Sequence, residues 1–194
     1  MENKKQRLFD AAARLFAKQG YTATSIQQIS QEAGVNGAMV SYYFGSKQGL
    51  YVAVVHFIIQ LLADLPQKYP LSSAEPEEII RQYVRTISQI HQTHPEFVQI
   101  LSRELCERSS VLPSFVHEYV QPLFLFLCQT FQKGIDTGVF RDNICPEQAV
   151  IILAGAINFA YLTAPIRQEI QLQVPLDEHF SHQILDIFFN GIRR

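Results

Sequence analysis

Apolar residues recur every three or four positions along almost the whole chain, which is the period of one helix face. In the first segment the apolar positions are Leu8, Ala12, Leu15 and Phe16. The basic residues lying off this stripe are Lys4, Lys5, Arg14 and Lys18. Gly20 follows as the residue expected to end the helix. The pattern therefore predicts one amphipathic helix with a basic outer face.

Two further helix starts follow at short intervals. Ser25 and Gln28 match the S-x-x-Q capping box, in which each side chain satisfies a backbone N–H at a helix start. Gly34 can adopt the left-handed conformation that ends this second helix. Asn36 is placed to cap a short third helix that ends at Phe44. Residues 25–44 therefore form a helix, a glycine-containing turn and a second helix, with the length of a DNA-binding helix-turn-helix.

The rest of the chain predicts further helices joined by loops. A fourth helix begins at Ser46–Lys47 and ends at Leu65–Pro66, before a loop that continues to Glu75. Five more helices follow, with starts near Pro76, Phe97, Leu112, Pro146 and Asp177. Strand-like alternation of useful length is not seen. We therefore predict an all-α protein of about nine helices.

Charge is divided unevenly along the 194 residues. The first fifty carry six basic and three acidic side chains, a net charge of +3, whereas the remainder carries ten basic and fifteen acidic, a net charge of −5. The positive segment is suited to approach a polyanion such as DNA. The three cysteines lack CxxC spacing, and neither a secretory signal nor a membrane span is expected. We therefore expect a cytoplasmic protein.

The predicted third helix has an outward face without charge. With Val40 turned inward, a rotation of about 100° per residue places Ala38 and Tyr42 outward, with Met39 and Ser41 at the edges. A helix face without charged residues is unusual on a surface that contacts water. It suits a base edge in a DNA groove, where Ala and Met side chains contact thymine methyl groups.

Phosphate contacts are expected from groups at the helix starts. Ser25, Ser46 and Lys47 stand at helix N-termini, where unpaired N–H groups and the helix dipole favour an anion. Tyr42 and Tyr43 can add hydroxyl hydrogen bonds to phosphate oxygens. The alternative interpretation is a three-helix core domain with no nucleic-acid role.

Many short matches to one pattern occur in order between residues 7 and 51. They are Gly20-Tyr21, Thr24-Ser25-Ile26, Ile29, Ala33-Gly34-Val35 and Tyr42-Tyr43-Phe44-Gly45-Ser46-Lys47-Gln48-Gly49-Leu50-Tyr51. This segment resembles the N-terminal signature of TetR-family transcriptional regulators. Residues 134–141 resemble a helix-ending turn common in the C-terminal part of such proteins. The family commonly has tyrosine where this sequence has Ser41.

The resemblance implies a homodimer whose two third helices enter successive major grooves of a palindromic double-stranded operator, usually repressing transcription until a small molecule binds. It also implies that Gln27 faces bases or phosphates and that Lys47 holds a phosphate. We place the DNA-binding domain at residues 1–48 and the effector-binding and dimerisation domain at residues 49–194. The predicted DNA contacts are Ser25, Gln27, Asn36, Gly37, Ala38, Met39, Ser41, Tyr42, Tyr43, Ser46 and Lys47.

The C-terminal helices carry more aromatic and apolar side chains than one small bundle needs. One interpretation is an apolar pocket with a few polar groups, which accepts an apolar or aromatic effector. Its candidate lining is Tyr83, Ile87, His91, Phe97, Leu101, Glu104, His117, Phe124, Cys128 and Asn158. The alternative is that these residues are simply core.

The helix over residues 149–163 is apolar nearly all round and rich in small residues. With the last helix it is suited to form a four-helix interface across a two-fold axis. The candidate interface residues are Ile152, Gly155, Ala156, Phe159, Ile184 and Phe188. The alternative is packing within one subunit.

Catalytic and metal-binding interpretations have little support. Two pairs of histidines have i,i+3 spacing, His91 with His94 and His179 with His182, but no HExxH or paired acidic motif accompanies them. We therefore expect no metal site, no cofactor and no enzyme activity. Two alternatives to an effector-controlled repressor stay open. They are a DNA-binding regulator without a small-molecule effector, and a helical carrier or enzyme for apolar molecules.

Overall fold

The structure is a computed structural model that describes residues 4–96, 99–100, 102–103, 113 and 116–193. Within these ranges the chain forms ten α-helices and one π-helical segment, and no strand, as the all-α prediction required. The helices are α1 (Lys4–Ala23), α2 (Ile26–Ala33), α3 (Ala38–Phe44), α4 (Lys47–Ala63), α5 (Leu65–Lys68), α6 (Pro76–Thr93), α7 (Gln121–Asp136), α8 (Pro146–Leu162), α9 (Ala164–Glu169) and α10 (Glu178–Ile192). The π-helical segment is Val116–Val120.

The helix count differs from the prediction because three short elements had no sequence signal. These are α5, α9 and the π-helical segment, each six residues or fewer. The π-helical segment ends where α7 begins, and Pro122 lies in the first turn of α7. Proline has no N–H to donate to a preceding turn, so a new helix start is favoured there rather than a kink within one long helix. The helix predicted from Phe97 falls largely outside the described residues.

The chain folds as two compact units. The N-terminal unit comprises Met1–Gln60 and His94–Pro113, and the C-terminal unit comprises Leu61–Thr93 and Ser114–Arg194. Helix α4 therefore starts in one unit and ends in the other. The division by packing falls later in the chain than the predicted domain boundary after residue 48, which stays a functional prediction.

The N-terminal unit is built on the apolar face of α1. Leu8, Ala12 and Phe16 are buried, as the stripe predicted. The Phe16 ring packs edge-on against Tyr51 of α4 with 4.9 Å between ring centroids. Gly20 has a φ of 82° and interrupts the regular helix, at the residue predicted to end it. The last residues of α1 are thereby turned toward the start of α2.

The C-terminal unit has a core formed by α6, α7, α8 and α10. The largest fully buried side chains there are Phe131, Phe140, Phe189, Ile79, Ile80, Leu127 and Leu153. Gly134 lies so close to the Phe140 ring that an added Cβ would come within 2.1 Å of it. The carbonyl of Gly134 also accepts from the N–H groups of Val139 and Phe140, both at 2.9 Å. This turn folds Phe140 back onto α7.

Candidate functional site

The turn between α2 and α3 is fixed by short-range hydrogen bonds. The Ser25 hydroxyl accepts from Gln28 N–H at 3.1 Å, and the Gln28 side chain accepts from Ser25 N–H at 2.8 Å, so the predicted capping box is confirmed. Gly34 has a φ of 60° and ends α2, as predicted. Gly37 precedes α3 directly, and the Asn36 side chain accepts from the N–H of Ala38, the first residue of α3, at 2.9 Å. The predicted helix-turn-helix geometry is therefore formed.

Helix α3 presents the predicted uncharged face. Val40 is fully buried, whereas Ala38, Ser41 and Tyr42 are exposed, Tyr42 by 75% of its surface. Met39 is half-buried at the edge. The Tyr43 ring packs edge-on against Tyr42 at 4.9 Å between ring centroids, which limits the orientations open to both hydroxyls.

Gly37 brings α2 and α3 close together. A Cβ at this position would stand 3.3 Å from Ser30 Oγ and 3.7 Å from Ile26 Cγ2. The space between residue 37 and α2 is therefore tight for any side chain, which is a structural reason for glycine at this predicted DNA-contact position. An open groove borders the turn and is lined by Ile26, Gln27, Ser30, Gln31, Gly34, Val35 and Gly37. The exposed Gln27 side chain therefore lies next to α3.

The two capping hydroxyls retain the capacity to bind a phosphate. Ser46 Oγ accepts from Gly49 N–H at 3.0 Å, as Ser25 Oγ does from Gln28. A hydroxyl that accepts in this way still has its own hydrogen to donate. Both serines are exposed, so the predicted phosphate contacts are sterically open.

Lys47 has a role within the fold that the sequence analysis missed. Its ammonium donates to the carbonyl oxygens of Tyr21 at 2.9 Å and Thr24 at 2.8 Å, and Nζ lies 4.3 Å from the centroid of the Tyr21 ring. The lysine therefore holds the α1–α2 turn against the start of α4. An ammonium has three donors, so one is left for the predicted phosphate contact.

Basic side chains of α1 also make contacts inside the N-terminal unit. Arg14 pairs with Glu32 at 2.8 Å, and Arg7 reaches the Gly34 carbonyl at 3.5 Å. Both contacts join α1 to α2, so these two positive charges also fix the helix-turn-helix against α1. The expectation of a basic outer face on α1 did not foresee this second role.

In the C-terminal unit, α6 places three predicted pocket residues on one face. Tyr83, Ile87 and His91 are four residues apart and all buried. His91 Nε2 lies 2.8 Å from Asn158 Oδ1, which brings together two residues predicted for the pocket. The Tyr161 ring, which the sequence analysis did not assign to the pocket, lies 4.1 Å from the imidazole centroid. The i,i+3 spacing of Asn158 and Tyr161 on α8 was the signal available for it.

Burial changes the ionisation of both α6 side chains. It lowers the pKa of His91 from its ordinary value of 6.5, and the hydrogen bond with Asn158 opposes this effect in part. Burial raises the pKa of Tyr83 to about 12. Both side chains are therefore neutral at pH 7, which suits an apolar binding region.

The other predicted pocket residues have varied positions. Phe124 and Cys128 are half-buried on α7, and burial raises the pKa of the Cys128 thiol. His117 is exposed and lies 3.0 Å from Gln121 Oε1, and its place in the pocket stays a prediction. The side chains of Phe97, Leu101 and Glu104 lie outside the described residues.

The predicted interface residues lie on the surface of α8 and α10. Ile152, Gly155, Ala156 and Phe159 are exposed, and Ile184 and Phe188 are half-buried. An exposed stripe with alternating spacings of three and four residues, here called the α8 stripe, consists of Ile152, Gly155, Phe159 and Leu162. Large apolar side chains in a row on a surface mark an interaction site.

Histidines outside this region have nearby carboxylates instead of metal-like clusters. His94 lies 3.6 Å from Glu96, and His182 lies 3.6 Å from Glu178. In the part of the chain that the structure describes, no three His, Cys, Asp or Glu side chains converge as a metal site requires. None of the helices described is both long and apolar enough to cross a membrane.

Comparison with known proteins agrees with this geometry. Residues 8–54 match the family model for bacterial regulatory proteins of the tetR family, and residues 76–178 match the model for the tetracyclin repressor-like C-terminal domain. The chain is 34% identical over 158 residues to the HTH-type transcriptional repressor NicS of Pseudomonas putida, covering 78% of this chain and 73% of NicS. It is 28% identical to the HTH-type transcriptional regulator RutR of Escherichia coli, covering 98% of this chain and 91% of RutR.

A solved structure supports the fold over the full length. The ketosteroid transcriptional regulator KstR2 of Mycobacterium tuberculosis superposes with a TM-score of 0.82 at 19% identity, covering all of this chain and 97% of KstR2. Together with the two family models, the capped helix-turn-helix identifies a DNA-binding transcriptional regulator. The chain belongs to the TetR family.

Proposed function

We propose that the protein is a homodimeric repressor that binds a palindromic operator and leaves it when a small apolar or aromatic effector binds the C-terminal unit. In this proposal α3 contacts base edges through Ala38, Met39 and Tyr42. The hydroxyls of Ser25 and Ser46 contact phosphates. The observation that carries the proposal is the exposed and uncharged face of α3, which is poorly suited to water and well suited to a major groove.

The operator is found by selecting bound duplexes from a random pool, and the recovered site is then used in anisotropy titrations. We expect Ala38→Glu to weaken operator binding about 100-fold, because it places an anion against the DNA. Tyr42→Ala should weaken binding about tenfold through loss of groove and phosphate contacts. The matched control is Gln129→Glu, which adds the same charge at an exposed position of α7.

The controls separate contact with DNA from damage to the fold. Gln129→Glu should bind the operator as the natural sequence does, and log affinity of both should fall linearly with log salt concentration. If Ala38→Glu bound the operator with unchanged affinity, α3 would not be the reading helix. Lys47 is unsuited to this test because its loss also frees the Tyr21 and Thr24 carbonyls.

Dimerisation is proposed to occur through the α8 stripe and the neighbouring face of α10. The support is exposure: Phe159 shows 66% of its surface, Ile152 62% and Ile187 74%. The three-and-four spacing of the α8 stripe is that of a helix seam that packs against another helix. Two copies related by a two-fold axis would bury both seams in a four-helix arrangement.

Sedimentation equilibrium tests the interface. Phe159→Glu should raise the dimer dissociation constant about 100-fold, the effect of losing an aromatic residue at the centre of an interface. Leu125→Glu is the matched control, because Leu125 is also half exposed but lies on α7. Equal dissociation constants for the two variants would place the dimer interface elsewhere.

Control by an effector is proposed to act through a population shift. Helix α4 starts at Lys47, beside the proposed phosphate contact of Ser46, and its last residues belong to the C-terminal unit. A ligand that favours one position of α4 would change the separation of the two α3 helices in the dimer. A preference of about 3 kcal/mol would lower operator affinity about 150-fold.

The shift is tested by a ligand screen against the protein bound to its selected operator. A true effector should release the operator and should bind less tightly to the DNA-bound protein by the same factor, as linkage requires. Equal separations of the two α3 helices in effector-bound and operator-bound crystals would contradict the mechanism and leave DNA recognition untouched.

A further inference from the structure

The orientation of the Asn158 side chain fixes the proton on His91. Asn158 Nδ2 donates to the Ala154 carbonyl at 2.8 Å, and a carbonyl can only accept. The amide oxygen of Asn158 is therefore the atom that faces His91 Nε2 at 2.8 Å. Since this oxygen also only accepts, Nε2 must carry the hydrogen.

The second ring nitrogen of His91 is consequently an acceptor. A neutral imidazole carries one N–H, so with the hydrogen on Nε2 the Nδ1 atom presents a lone pair. Burial lowers the pKa of His91, which keeps the ring neutral at pH 7. The lone pair on Nδ1 is therefore the resting state of this side chain.

This acceptor has no hydrogen-bond partner among the described residues, although Nδ1 is buried. His91 has only 7% of its surface exposed, and Ile87 and Ile90 are also buried on α6. Buried polar atoms in folded proteins are nearly always paired, because an unpaired one has given up its hydrogen bonds to water. An unpaired acceptor in apolar surroundings therefore suggests that something else supplies the donor.

We infer that the effector is an uncharged, largely apolar molecule carrying an O–H or N–H group that donates to His91 Nδ1. This inference rests on the proposed effector-binding role of the C-terminal unit and adds the chemistry of its ligand. An anion would face the lone pair of Nδ1 and be repelled. A cation would need a counter-charge, and neither Asn158 nor Tyr161, the residues in contact with the imidazole within the described part of the chain, carries one.

The Tyr161 ring packs against the face of the imidazole and is tied to the segment between α9 and α10. Its hydroxyl donates to the Leu176 carbonyl at a long 3.4 Å. Gln92 Nε2 donates to the same carbonyl at 2.9 Å. The lone pair of Nδ1 lies in the plane of the imidazole ring, so a ring packed on its face leaves this direction open to a donor.

Matched probe pairs test the donor requirement on the full chain. The probes are 2-naphthol with 2-methoxynaphthalene, and phenol with anisole, so that each pair differs in the O–H group. We expect the hydroxyl probe to bind at least tenfold more tightly than its methyl ether in calorimetric titrations. His91→Phe keeps an aromatic ring against Tyr161 and should reduce this ratio to about one. His182→Phe, at an exposed position of α10, should keep the ratio.

A spectroscopic readout covers the case in which His91→Phe does not fold. Nitrogen NMR of the natural protein should show His91 with its hydrogen on Nε2, and saturation with 2-naphthol should shift the Nδ1 resonance whereas 2-methoxynaphthalene should not. The inference is overturned by an unmoved Nδ1 signal, by a selectivity ratio that survives in His91→Phe, or by a failure of all four probes to bind.

The same titrations separate this inference from the proposed function. If a probe binds at His91 with donor selectivity but leaves operator affinity unchanged, the binding site is supported and its role in effector control is excluded. Release of the operator by a ligand that lacks any donor would retain the effector mechanism and overturn the chemistry assigned to His91.

Discussion

The turns of the N-terminal unit and the helix–helix contacts of the C-terminal unit are fixed by hydrogen bonds that span very different distances along the chain. In the N-terminal unit the bonds that close the turns join residues two or three apart: Ser25 with Gln28, Asn36 with Ala38, and Ser46 with Gly49. In the C-terminal unit Ser88 pairs with Ser181 across 93 residues, His91 with Asn158 across 67, and Glu77 with Arg193 across 116.

This difference indicates how each unit gains its order. Caps with local partners form as soon as their own segment adopts a helix, so they do not require distant helices to be docked. Pairs between distant helices exist only when those helices are docked together. Substitutions at the caps should therefore act locally, whereas substitutions at the long-range pairs should act on the whole packing of the C-terminal unit.

The largest effect is expected at Gly134. A Cβ there would overlap the buried Phe140 ring, so Gly134→Ala should destabilise the C-terminal unit by about 3 kcal/mol. Gly191→Ala is the matched control, because nothing lies within 4 Å of its Cβ position on α10. Urea unfolding measures both free energies. Equal losses would mean that the fit of Phe140 against α7 does not limit the stability of this unit.

The next largest effect compares two lysines that hold loops in the same manner. Lys47 binds two carbonyls of the α1–α2 turn, and Lys133 donates to the carbonyls of Leu71 at 2.9 Å and Ala74 at 2.7 Å. Replacing either lysine with Met should lower the free energy of unfolding by about 2 kcal/mol, because two carbonyl acceptors lose a charged donor.

Hydrogen exchange distinguishes the two lysine variants. Lys47→Met should accelerate exchange mainly around residues 21–24, whereas Lys133→Met should do so across the helices of the C-terminal unit. Unchanged protection around residues 21–24 in Lys47→Met would show that the lysine is dispensable for the turn.

Loss of a local cap should have a smaller effect. Ser25→Ala removes the acceptor for Gln28 N–H and should lower stability by about 1 kcal/mol. Ser72→Ala, in an exposed loop position, is the matched control and should change little. The two unfolding free energies are compared by urea titration with circular dichroism. A loss equal to that of the control would mean that the remaining capping bond at Ser25 N–H suffices for α2.

The smallest effect concerns acid stability. The hydrogen bond from Arg193 to Glu77 lowers the pKa of Glu77 below its ordinary value of 4.5. Since the folded pKa lies below the unfolded one, the stabilisation is complete above about pH 4.5 and is lost as pH falls through the folded pKa. In Glu77→Gln, the free energy of unfolding should therefore fall less steeply as the pH is lowered below about 4.5. An unchanged pH dependence of the unfolding free energy would mean that other carboxylates determine the acid stability.

The same contrast explains what could be predicted from sequence. The capping box and the left-handed Gly34 were predictable because their partners lie within one turn of chain. His91 and Asn158 were both predicted as polar groups of one apolar pocket. Their direct hydrogen bond was not predictable, because it depends on the register of α6 against α8. Lys47 was assigned to phosphate from its position at a helix start. Its contacts with two carbonyl groups were not predictable, because these lie 23 and 26 residues away.

Short helices and the exposure of individual side chains also could not be predicted from the sequence. Helices of four to six residues, such as α5 and α9, carry too few periods for an apolar stripe. His117 was assigned to the pocket as one of its few polar groups, and the sequence did not indicate the π-helical segment in which its side chain is exposed.

The long span between Glu77 and Arg193 has a consequence for biosynthesis. While the ribosome is still translating residues 78–192, the carboxylate lacks its guanidinium, and the backbone pairing of Phe140 with Arg193 cannot form. The capping partners of the helix-turn-helix all emerge within residues 25–49, so their hydrogen bonds can form on the nascent polypeptide by then. The contacts that Arg193 makes with Glu77 and Phe140 form only after the last residues have been translated.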